Sequence, residues 1–319
     1  MWNKNHIIRK TVIPFLVFAS LTGAAALPAS AAGAESAPAQ ESARKSLQEP
    51  KKHTKKYKWW KPRSWSDPGL VSGDPRKLGA KTFKGQAFDT CRAPSTSVMR
   101  AWRKSSPFGA AGVYIGGRAR ACPNQAHLDS AWVRAADAMG WKLLPVYVGS
   151  QSPCVKASNK RGHVMSHHQP ALRGAQEGRD AVRQAKKLGM STHSAIYLDM
   201  EAYDNNSTTC AVTTLRFIQG WNRAVLEQKY VPGFYSSADS GIRHMEGARK
   251  AGRTYLPQML WFARWRVPGS VKGEKFLDER AWQPHRRIHQ YDGDVVRTYG
   301  GHSLHIDRNV MDAPVAVVK

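Results

Sequence analysis

Acidic residues are scarce in this chain. Against 49 Lys and Arg stand 23 Asp and Glu, a formal net charge of +26 over 319 residues. Such a surface attracts polyanions: nucleic acid, anionic lipid, or the acidic polymers of a bacterial wall. Cysteine is also rare. The four, at 91, 122, 154 and 210, have no CxxC spacing, which excludes a cysteine zinc site. Apart from Thr11 to Leu27 there is no long apolar run, which excludes a multi-span membrane protein. HExxH and Gly-x-Ser-x-Gly are missing, so zinc-protease and serine-elbow chemistry lose their motifs. What is present is apolar material, 41% hydrophobic residues with 11 Trp, enough for one barrel-sized core or two ordinary domains.

The first residues speak to compartment. Lys4, Arg9 and Lys10 form a positive start, no charge occurs from Thr11 to Ala34, and Ala29-Ser30-Ala31 is a small-x-small cleavage signal. The pattern predicts a secretory signal peptide over 1–31. An uncleaved anchor is the competing reading, weakened by Pro14, Gly23 and Pro28. Export would place the protein outside the cell or at the wall, where four cysteines imply two disulfides and nucleic acid is not an expected partner.

Residues 32–83 have linker composition, with a basic, Trp-containing run from Lys51 to Trp65. Two readings stand: an arm that adheres to anionic wall polymer or membrane surface, or a leader whose Trp side chains pack on the folded domain. From Lys84 the sequence alternates short apolar strands with amphipathic helices. Strands are expected at Lys84–Cys91, Ala110–Gly117, Trp141–Gly149, Ser194–Glu201, Tyr230–Ser237 and Gln258–Trp265, then at Arg287–Tyr291 and Ser303–Val310 with no convincing helix between them. Helices are expected from Ser95, over Asn124–Gly140, Gly174–Leu188 and Thr208–Lys229. Five βα repeats and three further strands predict an α/β fold, a TIM-type (β/α) barrel over 84–319. A doubly wound sheet is the alternative, but Asp89-Thr90-Cys91-Arg92-Ala93-Pro94 after the first strand is no glycine-rich phosphate loop. Each cysteine follows one of four successive strands, so neighbouring loops predict the pairs Cys91 with Cys122 and Cys154 with Cys210.

In Ile196-Tyr197-Leu198-Asp199-Met200-Glu201, a period of two sets Tyr197, Asp199 and Glu201 on one face. Ile, Leu and Met suit the outer face beneath helices, so the carboxylates point inward at the C-terminal mouth, where barrel enzymes react. A paired acid there suits glycoside cleavage, one carboxyl donating a proton and one stabilising positive charge. The competing reading is a salt-bridged pair at a strand end. Asp89 closes the first strand and Asp307 the last, both inward by the same alternation. Trp261, Trp265, Gln290 and Tyr291 add aromatic and amide groups suited to sugar contact. His163 and His167 have i, i+4 spacing but no third ligand, so neither metal nor cofactor is expected.

The runs Phe88 to Ser95, Gly112 to Gly117, Tyr197 to Tyr203, Gly233 to Ser237 and Trp261 to Trp265 resemble the glycoside-hydrolase-like domain of secreted actinobacterial proteins, over residues 84 to 311. That group is similar to the family 25 lysozymes, muramidases with a (β/α)5β3 barrel. The resemblance implies Glu201 as general acid, Asp199 as its partner and Asp89 as the first-strand acid. It also matches Asp307 to the acid-bearing last strand, and substrate contacts are expected from Asp307, Tyr197, Tyr235, Trp261, Trp265, Gln290 and Tyr291. One departure stands out. Family 25 enzymes bring a further acid from about the sixth strand, whereas Trp261 to Trp265 here supplies none.

Two functional expectations follow for a chain expected to be a monomer that meets wall polysaccharide: a hydrolase of peptidoglycan or a related N-acetylated glycan, and a non-catalytic glycan-binding barrel. A polyanion binder is a third, which leaves the inward acids unexplained. Retention, inversion and substrate assistance all remain open for the first.

Overall fold

The computed structural model describes residues 71–319. The expected signal peptide of residues 1–31 and most of the expected basic arm therefore lie outside the described residues. Strands β1 (Thr82–Asp89), β2 (Phe108–Gly116), β3 (Lys142–Tyr147), β4 (Ala195–Asp199), β5 (Val231–Ser237) and β6 (Met259–Ala263) alternate with helices α1 (Thr96–Ser105), α2 (Ser130–Ala138), α3 (Pro170–Lys187), α4 (Thr208–Glu227) and α5 (Arg243–Lys250). Then come β7 (Arg287–Tyr299) and β8 (His302–Pro314), and the eight strands close into a barrel in sequence order. This is the expected TIM-type α/β barrel in its (β/α)5β3 form.

The last strand runs backwards for a local reason. Only Gly300 and Gly301 separate β7 from β8, and both adopt left-handed backbone (φ 57° and 79°), the conformation of a tight hairpin turn. A two-residue turn forces antiparallel pairing, so β8 lies antiparallel to both β7 and β1.

Alternation along the strands sorts the core into two layers. Ala87, Ala110, Leu144, Val146, Tyr197, Met259, Trp261 and Ile288 fill the barrel interior. Phe88, Phe108, Leu143, Ile196, Leu198, Phe234 and Phe262 face outward, under the helices with Trp102, Trp132, Trp141 and Trp221. Residues ahead of β1 are tied to the base of the barrel: Arg286 donates to the carbonyls of Ser72 (3.2 Å) and Gly73 (2.8 Å).

Several boundaries differ from the sequence expectation. Helix α2 starts at Ser130 instead of Asn124, because Asp129 caps it through Trp132 N (2.7 Å) while Gln125 is engaged in the loop before it. Helix α3 starts four residues before Gly174, at Pro170, a residue suited to the first helical turn. Strand β4 stops at Asp199, which leaves Glu201 in the loop that follows. Among the described residues, no helix is long and apolar enough to cross a membrane.

Candidate active site

The C-terminal mouth gathers four carboxyls. Asp89 ends β1, Asp199 ends β4, and Asp307 on β8 is the register partner of Asp89. Room for Asp89 comes from β2, where a Cβ on Gly112 would collide with the Asp89 side chain. Three donors converge on Asp89: the Tyr114 hydroxyl on Oδ1 at 2.9 Å, and on Oδ2 the amides of Asn309 (2.9 Å) and Gln290 (3.1 Å). Burial pushes the Asp89 carboxyl above the usual range, and these hydrogen bonds act against it.

Gln290 organises the centre. Its Nε2 also donates to Asp307 (3.3 Å), while its Oε1 accepts from the Tyr235 hydroxyl (2.8 Å) and from Trp265 Nε1 (2.9 Å). Asp307 further accepts the backbone N–H of Asp294 at 2.6 Å. Its carboxyl is pushed up to about 7, by burial first and then by the charge of Asp89.

Asp199 is different. It is buried, and its Oδ1 has no hydrogen-bond partner. Burial and the neighbouring Glu201 charge hold it well above the ordinary carboxyl range. Glu201, in contrast, is 35% exposed at its side chain and lies 3.8 Å from Nζ of the buried Lys160. Gln151 fixes the loop that carries it: its Oε1 accepts from Glu201 N (2.8 Å) and its Nε2 donates to the Asp199 carbonyl (3.0 Å).

Two cavities meet at Glu201. The larger, about 690 Å³, is lined by Asp89, Tyr114, Lys160, Asp199, Glu201 and Asp307, with the Cys91 and Cys122 loops as a wall. The smaller, about 360 Å³, is lined by Glu201, Tyr235, Ser237, Asp239, Arg264 and Trp265. Disulfides pin the loops around them. Cys91 pairs with Cys122, and Cys154 with Cys210. Gln125 reinforces the first pair by donating to the carbonyls of Cys91 (2.7 Å) and Cys122 (3.0 Å).

The structure thus brings Asp89, Asp199, Glu201, Asp307, Tyr235 and Trp265 to the two cavities. Four other residues named for substrate contact line neither. Tyr197 points inward but sits two residues deeper than Asp199, fully buried with its hydroxyl on the Pro314 carbonyl (2.6 Å). Trp261 lies in the floor, edge-on to Tyr197 and Tyr235, with Nε1 on Asn309 (2.8 Å). Gln290 is buried behind Asp89. Tyr291, one residue on, falls on the opposite face of β7 and packs against the Arg308 guanidinium, 4.9 Å from its ring centre. Three contributors have no assigned role in the sequence reading: Tyr114, Asn309 and Lys160. Asn309 shares the parity of Asp307 on β8 and was legible there; Lys160 comes from a 3-10 turn, Ser158–His163, inside a long loop. His167 bonds to Thr213 (2.8 Å), and among the described residues no group of three His, Cys, Asp or Glu could hold a metal ion.

Residues 100–311 match the family described as Rv2525c-like, glycoside hydrolase-like domain. Among solved structures, the chain is similar to the Tat-secreted protein Rv2525c of Mycobacterium tuberculosis, with 20% identity over 72% of this chain and 96% of that one and a TM-score of 0.49. It is also similar to the catalytic domain of endolysin ply40 from bacteriophage P40 of Listeria monocytogenes (13% identity, 72% and 93% coverage, TM-score 0.42). A third is the Clostridium perfringens spore cortex lytic enzyme SleM (12% identity, 72% and 67% coverage, TM-score 0.42). No curated protein matches.

Proposed function

The chain belongs to the Rv2525c-like, glycoside hydrolase-like family, and from that premise we propose that it hydrolyses O-glycosyl bonds in peptidoglycan or a related N-acetylated wall glycan. Glu201 is the proton donor to the leaving oxygen, and Asp199 and Asp89 support the positive transition state. The observation that carries this reading is the position of Glu201. It stands where two cavities join, with buried carboxyls on one side and the exposed ring of Trp265 on the other, so a glycan could extend in both directions from the acid.

The protein acts outside the cell as a monomer, after removal of residues 1–31, with the basic arm of residues 32–83 holding it to anionic wall polymer or membrane surface. Two disulfides suit that compartment.

A second reading is a glycan-binding barrel without turnover. It is favoured by β6, whose inward residues Met259 and Trp261 bring no carboxylate to the mouth. Muropeptide release from purified peptidoglycan separates the two. On the hydrolase reading wild type releases products and Glu201→Gln does not, because an amide keeps the shape but has no acid proton. Release that survives the substitution overturns the assignment of Glu201. Binding without release, in every preparation, favours the second reading.

A further inference from the structure

Among the described residues, the Arg and Lys side chains that line the two cavities are Arg92, Arg120 and Lys160 in the larger and Arg264 in the smaller. All but one are already committed. Lys160 donates to the Ala119 carbonyl (2.8 Å) and lies 3.8 Å from Glu201. Arg120 donates to the carbonyls of Gly117 (3.2 Å) and Tyr114 (3.3 Å). Arg264 holds Glu274 through Nε (2.7 Å) and Nη2 (2.8 Å). Arg92 is exposed on the wall of the larger cavity, and among the described residues its guanidinium has no acid or carbonyl partner.

A solvated arginine on a helix surface needs no explanation, since Arg is mostly an exposed residue. Arg92 differs in where it is and in how firmly its backbone is held. The segment that carries it follows β1 and is tied by the disulfide from Cys91 to Cys122. Gln125 grips that segment on both sides of Arg92, donating to the Cys91 carbonyl (2.7 Å) and accepting the Ala93 N–H (2.9 Å). A guanidinium presents a planar fork of donors that matches two oxygens of a carboxylate or phosphate. Fixing its backbone beforehand reduces the ordering that binding requires.

The carboxyls of the larger cavity do not close it to an anion, because they differ from Arg92 in depth. Asp89 and Asp199 are buried at the strand ends, whereas Arg92 is exposed. Burial holds Asp199 well above the ordinary carboxyl range and brings Asp307 to about 7, so these deep acids carry less negative charge than they would in water. The exposed acid on this wall, Asp294, is paired with His305 at 2.9 Å. The smaller cavity is the reverse: its cation is held by Glu274, and it exposes the acid Asp239 beside Trp265.

We propose that Arg92 is a specificity residue of the larger cavity, where it binds an oxyanion, a carboxylate or a phosphate, carried by the sugar residue seated there, while the smaller cavity takes an uncharged sugar residue against Trp265. The proposal rests on the glycan reading of the site, with or without turnover.

The test is isothermal titration calorimetry on the full chain with two matched pairs of ligands. One pair is the disaccharide N-acetylglucosaminyl-N-acetylmuramic acid and its methyl amide, which differ by one negative charge; the other is N-acetylglucosamine 6-phosphate and N-acetylglucosamine. Wild type should prefer the charged member about tenfold, the scale of a hydrogen-bonded charged group, in the first pair if the oxyanion is a carboxylate and in the second if it is a phosphate. Arg92→Gln should abolish the preference, and Arg92→Lys, which keeps the charge without the fork, should retain part of it. Asp239→Asn, in the smaller cavity, should leave it unchanged. Equal binding within both pairs by wild type overturns the proposal and leaves the glycan reading standing, as does a preference that persists in folded Arg92→Gln. The wild-type comparison decides even where a variant does not fold. No binding of any of the four ligands overturns the proposal together with the glycan reading.

Discussion

Gln290 donates from Nε2 to Oδ2 of Asp89 at 3.1 Å, a neutral amide spanning 201 residues of sequence to meet a buried acid. The amide matters because it brings donors among carboxyls without adding charge. Gln290→Glu keeps the size but replaces the donor facing Asp89 and Asp307 with another acid. The expected loss of stability is about 1–3 kcal/mol, the scale of an unsatisfied buried polar group. It should be larger at pH 8 than at pH 5, where the new carboxyl can be protonated and donate. Urea unfolding at the two pH values measures this, and an equal loss at both would show that charge is not the issue.

The first disulfide is part of the cavity wall as well as a cross-link. It closes a separation of 31 residues, and the second closes 56, with Cα atoms 5.7 and 5.9 Å apart. In the chain-entropy account each contributes about 4 kcal/mol. Replacing Cys91 and Cys122 together by Ser should lower stability by up to that amount and also weaken glycan binding, because the loops that line the larger cavity lose their tie. Replacing Cys154 and Cys210 should cost stability comparably. Non-reducing peptide mapping checks the pairing first, and thermal unfolding beside glycan cosedimentation checks the rest.

Two tryptophans close in sequence should respond in opposite ways. Trp261 is 2% exposed and fills the barrel floor, whereas Trp265 is 46% exposed at the smaller cavity. Trp261→Ala should destabilise the fold by about 3–5 kcal/mol through the cavity it leaves. Trp265→Ala should alter stability by about 1 kcal/mol or less and weaken glycan binding roughly tenfold, the scale of one aromatic contact. Denaturant midpoints and binding isotherms for the two variants make the comparison; binding unaffected by Trp265→Ala would remove that ring from the glycan path.

How much of this was legible in the sequence follows from which parts obey a period. Ile196 and Leu198 outward with Tyr197 inward is the two-residue alternation of a strand, and the same period puts Asp199 inward at the mouth. The same alternation overreached in two places. It carried the strand on to Glu201, although β4 ends at Asp199 and backbone bonds to Gln151 position the next residues. It also said which way Tyr197 points but not how deep it lies. Lys160 was illegible because a 3-10 turn in a long loop has no period, and its approach to Glu201 is a tertiary fact. Gly300-Gly301 carried a readable signal for the β7–β8 hairpin, which the strand pattern alone did not use.

Asp307 makes stability depend on pH in a direction opposite to most paired carboxylates. Its carboxyl is raised from 3.8 to about 7, so the folded state binds this proton more tightly than the unfolded chain. The resulting stabilisation is complete below the unfolded value and is lost as pH rises through the folded value near 7. His244, lowered by burial to about 4, and His289, lowered by burial too, act in the reverse sense, but their contributions are essentially complete above about pH 6.5, the reference imidazole value. The informative window is therefore pH 6.5 to 8.5. There, wild type should lose on the order of 1 kcal/mol that Asp307→Asn, which has no proton to lose, retains. The substitution also disturbs the bond from Gln290, which adds an offset at every pH. The readout is accordingly the difference in slope between the two proteins in urea unfolding, and parallel curves across the window would mean that Asp307 is already ionised at pH 6.5.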